Sequence, residues 1–274
     1  MRVMISADME GATGVTYGND VDPGGEEWHR FRKLFTADVN AVALGLFDAG
    51  IDDVLVNEAH SSMRNVLLED LDERVRLLTG RHKPLGMMQG IENSDGVAFV
   101  GYHAGAGTRG VLAHTYLANA VLGVWLNGEP ASEGHLNAHL AKEYGSPVIL
   151  VTGDDLTCED ANVYAPESER VAVKEYVSRY AAICLTPATT FALQREAATR
   201  AAALVGRVPE VRKAQTIEVE FDAVHLADAA AVVPTVEQIS ERGVRFTALT
   251  MTEAMKAFKI VTAIASGARE EGYE

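Results

Sequence analysis

Three apolar runs in this chain each end on side chains that bind metals. MISADME (4–10) closes on Asp8 and Glu10, VLVNEAH (54–60) on Glu58 and His60, and VAFVGYH (97–103) on His103. Asp8 and Glu10 stand one residue apart, beside what must become the core. Two such carboxylates repel each other and resist burial unless a cation neutralises them. A divalent metal is the simplest such cation. Two imidazoles with two or three carboxylates make a borderline-hard ligand set, suited to zinc or manganese. One carboxylate shared between two ions about 3.5–4 Å apart is the usual build of two-metal hydrolytic sites. Two further candidates are Glu133, at the start of a helix, and His114, in the loop GVLAHTY (110–116).

Singly, each of these residues has an ordinary structural explanation. Asp8 can cap a turn, and Glu10 can be a solvated loop charge. His60 can cap the next segment, and His103 and His114 can be structural histidines. Glu133 suits the positive end of a helix. The weight lies in three separate strands delivering Asp, Glu and His to one sheet edge, because the carboxyl ends of parallel strands form the binding edge of α/β sheets.

Other constellations fit less well. His135 and His139 have the i, i+4 spacing of a helical zinc pair, but Leu136 stands where the zinc-protease motif needs Glu. GYHAGAGTRG (101–110) has neither the ordered glycines of a dinucleotide fingerprint nor the P-loop pattern. A haloacid-dehalogenase-like metal-dependent phosphohydrolase using Asp8 is the alternative enzyme. ADMEGATG (7–14) resembles that family's first motif, and Lys142 followed by VTGDDLTCED (151–160) resembles its later ones. The departures are Glu10 for an aspartate, Ala12 after Gly11, and Cys158 where an acid belongs. That reading also leaves His60, His103 and His114 unused.

The elements that must position these residues follow from periodicity. Strands are expected over 2–8, 52–60, 75–80, 96–103 and 147–155, and long helices over 26–50 and 187–206. Residues 121–132 read as a hairpin about Asn127-Gly128, and 132–145 as a helix capped by Ser132. Strands alternating with helices imply an α/β fold with a largely parallel sheet flanked by helices. After residue 210 the rhythm becomes strand–helix–strand–helix. The expected division is therefore a catalytic α/β domain over 1–210 and a small C-terminal α+β domain over 211–274.

Composition narrows the partners. With 274 residues, 47% of them hydrophobic, the chain can bury a full core. A net charge of −15 argues against nucleic acid and anionic membranes, both of which need a basic footprint. No apolar run reaches a membrane span, and the N-terminus enters a strand without a signal peptide. Cys158 and Cys184 match no disulfide or metal motif, so free thiols in a cytoplasmic protein are expected.

Taken together, SADMEGATGV, VLVNEAHSSM, FVGYHAGAGTRGVLAHTY and NGEPASEGHLNA resemble the D-aminopeptidase family of the DppA type, peptidase family M55. LVTGDD and TIEVEF extend the resemblance over essentially the whole chain. The resemblance implies a dinuclear zinc aminopeptidase acting on D-amino-acid N-termini, such as D-Ala-D-Ala and short D-Ala peptides. It implies that Asp8, Glu10, His60, His103 and Glu133 ligate two zinc ions, with Asp8 bridging. His114 matches the family's catalytic histidine, its nucleophile or acid–base group. It also implies a ring-like homodecamer.

Overall fold

The computed structural model describes residues 1–269. From the N-terminus run β1 (Arg2–Ala7), α1 (Gly18–Val21), α2 (Glu26–Asp48), β2 (Asp53–Glu58), β3 (Arg76–Leu78), β4 (Gly96–Val100), β5 (Val121–Leu126) and β6 (Glu129–Pro130). They are followed by α3 (Glu133–Glu143), β7 (Val148–Asp154), α4 (Asp155–Tyr164), β8 (Glu169–Ser178), β9 (Ala181–Cys184) and α5 (Pro187–Ala201). The chain continues with β10 (Gln215–Phe221), α6 (Val224–Ala230), β11 (Glu237–Gln238), β12 (Gly243–Ala248) and α7 (Met251–Gly267).

The larger sheet has the order β3-β2-β1-β4-β7-β8-β9, and every neighbouring pair is parallel except β8 with β9. Strands covered on both faces need apolar side chains on both, hence the unbroken runs in β1 and β4. One face packs on α2 and α5, through Val3, Ile5, Phe35, Val39, Leu46 and Ala198 among others. The other carries Met4, Phe99, Tyr102, Leu136 and Leu140. Strand order reverses between β1 and β4, and such a switch point opens a crevice at the carboxyl ends. Asp8 leaves β1 and His103 follows β4 at that crevice.

The smaller sheet, β11-β12-β10-β5-β6, is antiparallel throughout. In β10, Gln215, Ile217, Val219 and Phe221 are buried while the residues between them are half-buried, the alternation of a sheet with one covered face. Asn127 (φ 56°) and Gly128 (φ 89°) form the β5–β6 turn, with both residues at the positive φ that a type I′ turn requires. This sheet joins β5 and β6, from ahead of residue 210, to β10–β12 from beyond it. The C-terminal segment is thus completed by a hairpin that the sequence reading assigned to the larger unit.

Residues 156–186 had no expected structure, and they supply α4, β8 and β9. Helix α4 (DLTCEDANVY) has a weak apolar face, and β8 (ERVAVKEYVS) mixes charges into its apolar run, so neither shows a clean period. Among the described residues no helix is long and apolar enough to cross a membrane.

Both cysteines are unpaired, Cys184 exposed and Cys158 half-buried. Burial and the Asp154 charge push the Cys158 thiol up to about 12, where almost no thiolate forms near neutrality. A disulfide reagent at pH 8 is expected to titrate Cys184 alone in the folded protein and both thiols after denaturation. Two fast-reacting thiols in the folded protein would contradict this packing.

Candidate metal centre

The turn after β1 is stitched to the end of β4. The Asp8 N–H donates to the Val100 carbonyl and the Gly11 N–H to the Gly101 carbonyl, both at 2.8 Å. Only glycine permits this approach. A Cβ on Gly11 would lie 1.9 Å from the Tyr102 carbonyl oxygen, and one on Gly101 (φ +70°) 2.1 Å from that of Asp8. Lys174 of β8 holds the same turn from beneath. Its buried ammonium donates to the carbonyls of Glu10 (2.6 Å), Ala12 (3.1 Å) and Val15 (2.6 Å). All three ammonium donors are thereby used on main chain. Thr13 adds bonds from its N–H and hydroxyl to Asp38 of α2, at 2.8 and 2.7 Å.

Six of the side chains singled out from sequence meet at this edge. Asp8, Glu10, His60, His103 and Glu133 are between 2% and 7% exposed, and His114 is half-buried. Asp8 stands between two groups. Its Oδ1 lies 3.5 Å from His60 Nδ1, and its Oδ2 lies 3.5 Å from His103 Nε2. Glu10 Oε2 is 2.9 Å from His60 Nδ1, and Glu133 Oε1 is 3.6 Å from His103 Nε2. His114 Nε2 faces Glu10 Oε1 at 3.6 Å, and its ring stacks on that of His103 with centroids 4.2 Å apart. Three triads have ligand atoms within 4.8 Å of one another: Asp8–Glu10–His60, Asp8–His103–Glu133 and Glu10–His103–His114.

The three imidazoles are oriented alike. His60 Nε2–H donates to the Val21 carbonyl (2.8 Å), His103 Nδ1–H to Ala104 (2.9 Å) and His114 Nδ1–H to Leu112 (2.8 Å). In each ring the other nitrogen points at the carboxylates. Metal-ligating histidines are held in this way, with the outer nitrogen fixing tautomer and orientation.

Electrostatics follow from the crowding. Burial, then the charge of Glu10, raises the carboxyl of Asp8. Burial also works against the charge on Glu10, but the His60 and His114 imidazoles hold it well below the usual carboxylate range. Burial disfavours the charged form of His60, yet Glu10 and Asp8 raise it well above an ordinary imidazole. His103 is raised in the same way, against burial, by Glu133 and Asp8. These groups favour bound positive charge, whether proton or metal.

A 400 Å³ cavity opens over the cluster, walled by Ser61, Met63, Arg81, Met87, Tyr116 and Ala118. Among the described residues, apart from Asn127 in the hairpin turn, the non-glycine residues with positive φ are Ser61, Met63, Leu112, Tyr116 and Ala118. All lie on the two loops that follow His60 and surround His114. Such conformations persist where the surroundings over-determine them, as at functional sites.

Other polar residues have different duties. Glu58, buried at the end of β2, turns away and accepts from Asn65 N–H (2.6 Å), Val66 N–H (2.9 Å) and Asn65 Nδ2 (3.1 Å). His135 joins Ser132 and Asp160, and His139 donates to the His135 carbonyl, both outside the cluster. The phosphohydrolase alternative is not supported. Lys142 is exposed, and Asp154 caps α4 through Thr157 and accepts from the Val111 N–H. Sequence reasoning missed Lys174, whose only signal was a lysine inside an apolar strand, and Tyr116, whose N–H donates to Glu133 Oε1 at 2.8 Å.

A doubly wound α/β sheet whose carboxyl edge gathers carboxylates and imidazoles under an open cavity is the build of a metallohydrolase. Residues 1–260 match peptidase family M55, described as D-aminopeptidase. The D-aminopeptidase of Bacillus subtilis (strain 168) is 33% identical over 276 residues, covering 97% of this chain and 98% of that one. The solved structure of the Zn-dependent D-aminopeptidase DppA from Bacillus subtilis, a self-compartmentalizing protease, superposes with a TM-score of 0.93 at 33% identity, over 99% of each chain. The chain belongs to the M55 family of D-aminopeptidases.

Glu58→Gln is expected to lower unfolding free energy by about 1–3 kcal/mol, since charge-assisted bonds to the loop are weakened. Metal content by elemental analysis should not change. Loss of metal with unaltered stability would instead place Glu58 among the ligands.

Proposed function

We propose that this chain is a zinc-dependent aminopeptidase that removes D-amino acids from the N-termini of short peptides, D-Ala-D-Ala among them. Asp8, Glu10, His60, His103 and Glu133 are the residues that would hold a pair of zinc ions, Asp8 being the ligand that would serve both. The observation that carries this reading is the placement of the Asp8 oxygens, one facing His60 and the other His103. Donor chemistry supports it too. Among the described residues, the side-chain ion-pair partners of Asp8, Glu10 and Glu133 are histidines only. Structural zinc sites are closed and thiolate-rich. This set is oxygen-rich and lies under a cavity.

Zinc, when bound, supplies Lewis acidity and makes water easier to deprotonate, with a pKa of about 7 in catalytic sites. His114 moves the proton. Its Nδ1–H is committed to the Leu112 carbonyl, which leaves the Nε2 lone pair facing the pocket. Nε2 takes a proton from water as the new C–O bond forms at the scissile carbonyl. It returns that proton to the leaving amine nitrogen as the C–N bond breaks.

The relative of known structure is self-compartmentalizing. By extension this chain assembles into a closed homo-oligomer, a homodecamer, that admits small peptides. Its two unpaired cysteines fit the reducing cytoplasm.

The deciding assay measures amino-acid release from D-Ala-D-Ala and L-Ala-L-Ala with and without a chelator. D-alanine release that disappears on chelation and returns with zinc is expected. Phosphate release from an aryl phosphate without peptidase activity would overturn the proposal. His114→Ala should keep two zinc ions per chain and lose activity by about 10²–10⁴-fold. Asp8→Ala should lose metal as well as activity, because both ions lose one ligand. Sedimentation should return the mass of ten chains.

A further inference from the structure

The cavity over the cluster does not end at its walls. A second cavity of 370 Å³ shares Ser61, Met63, Arg81 and Tyr116 with it. This space runs between the turn from Lys83 to Gly86 and the face of α7 that carries Met255, Phe258 and Lys259. Tyr116 sits at the border, its ring edge-on to Phe258 with centroids 4.9 Å apart.

The charge of this second space is opposite to that of the chain. The protein has 39 acidic and 24 basic residues, yet among the described residues no Asp or Glu lines the cavity, while Arg81, Lys83 and Lys259 all do. Two of these cations are committed to the protein. Lys83 Nζ donates to Asn57 Oδ1 at 2.6 Å and to the Glu58 carbonyl, and Lys259 Nζ donates to the Lys83 carbonyl. Arg81 is exposed and makes no side-chain hydrogen bond or ion pair among the described residues, although it lines both cavities. A guanidinium without a partner among the described residues, at the junction of a reacting pocket and a cavity lined by cations, is matched to a carboxylate, which it can bind through two parallel hydrogen bonds.

An aminopeptidase holds one residue on the amino side of the cleaved bond, and the remainder of the substrate needs a path away from the metal-binding side chains. We propose that the second cavity receives this remainder and that Arg81 binds its terminal carboxylate, so that Arg81 sets the preference for short peptides with a free C-terminus. The proposal rests on the peptidase reading above. Met63, Leu117 and Phe258 give the path an apolar lining for small side chains. Each added residue carries the carboxylate up to about 3.5 Å further. A dipeptide therefore ends near the junction at Arg81, and a longer peptide ends deeper, towards Lys259.

The test compares D-Ala-D-Ala with its C-terminal amide on the wild-type zinc enzyme, Arg81→Gln and Arg81→Lys. Wild type should favour the free acid by about 10- to 100-fold in kcat/KM, the range of a charge-assisted contact. Arg81→Gln should lose that preference through a raised KM on the acid, with a clearly smaller loss on the amide. Arg81→Lys should keep part of it, and D-Ala-D-Ala-D-Ala should suffer less from Arg81→Gln than the dipeptide. Equal losses on acid and amide, or an unchanged preference in Arg81→Gln, would overturn the role of Arg81 while leaving the peptidase reading intact. A wild-type enzyme that releases D-alanine from neither substrate would overturn both.

Discussion

Three carboxylates are buried together, Asp8 within reach of both Glu10 and Glu133, and much of the structure follows from keeping them there. Like charges in a low-dielectric interior repel strongly, and burial alone drives each towards its neutral form. The chain sets three imidazoles against them, and among the described residues no lysine or arginine side chain forms an ion pair with them. Each imidazole spends its outer nitrogen on a backbone carbonyl, so its inner nitrogen cannot rotate away. An arginine would have satisfied the acids permanently. Histidines leave the positive charge exchangeable, as a metal site requires.

The scaffold meets this demand at its topological switch point. β1 and β4 are neighbours whose outgoing chains diverge, and their ends approach closely because Gly11 and Gly101 carry no Cβ. Asp8 and His103 are thereby held by main chain on either side of the crevice. Glu10 is held indirectly. Lys174 binds the carbonyls of its turn, so a cation buried in β8 shapes the backbone from which an anion projects. Burying an ammonium is tolerable only because every donor finds an oxygen.

What could be read from the sequence divides along physical lines. The clustering of strand-end acids and imidazoles was legible because a polar side chain breaking an apolar run is conspicuous, and because parallel strands share one edge. The hairpin at Asn127-Gly128 and the Ser132 cap were legible because turn and cap chemistry are local. Glu58 was indistinguishable from its neighbour His60 by type and spacing, and only its bonds to Asn65 and Val66 separate structural from site carboxylate. Strands β8 and β9 went unread because β8 interleaves charged with apolar residues and β9 is a short, mostly exposed edge strand, so neither shows a clean alternation. The hairpin β5–β6 was seen, but its partner, β10, lies some ninety residues later, and no local pattern announces that pairing.

The loops supply the last constraint. Ser61 and Met63 on one side, and Leu112, Tyr116 and Ala118 on the other, sit at positive φ at a cost of about 1–3 kcal/mol each. Two buried carboxylates offset that cost. Glu58 accepts the Asn65 and Val66 N–H groups and anchors the first loop, while Glu133 accepts the Tyr116 N–H and anchors the second. Glu133 therefore has two duties, since the oxygen that binds this loop also faces His103. The cavity wall at Tyr116 and the buried cluster are coupled through that single side chain. A change in charge at the cluster is felt directly by the loop that borders the space beyond it.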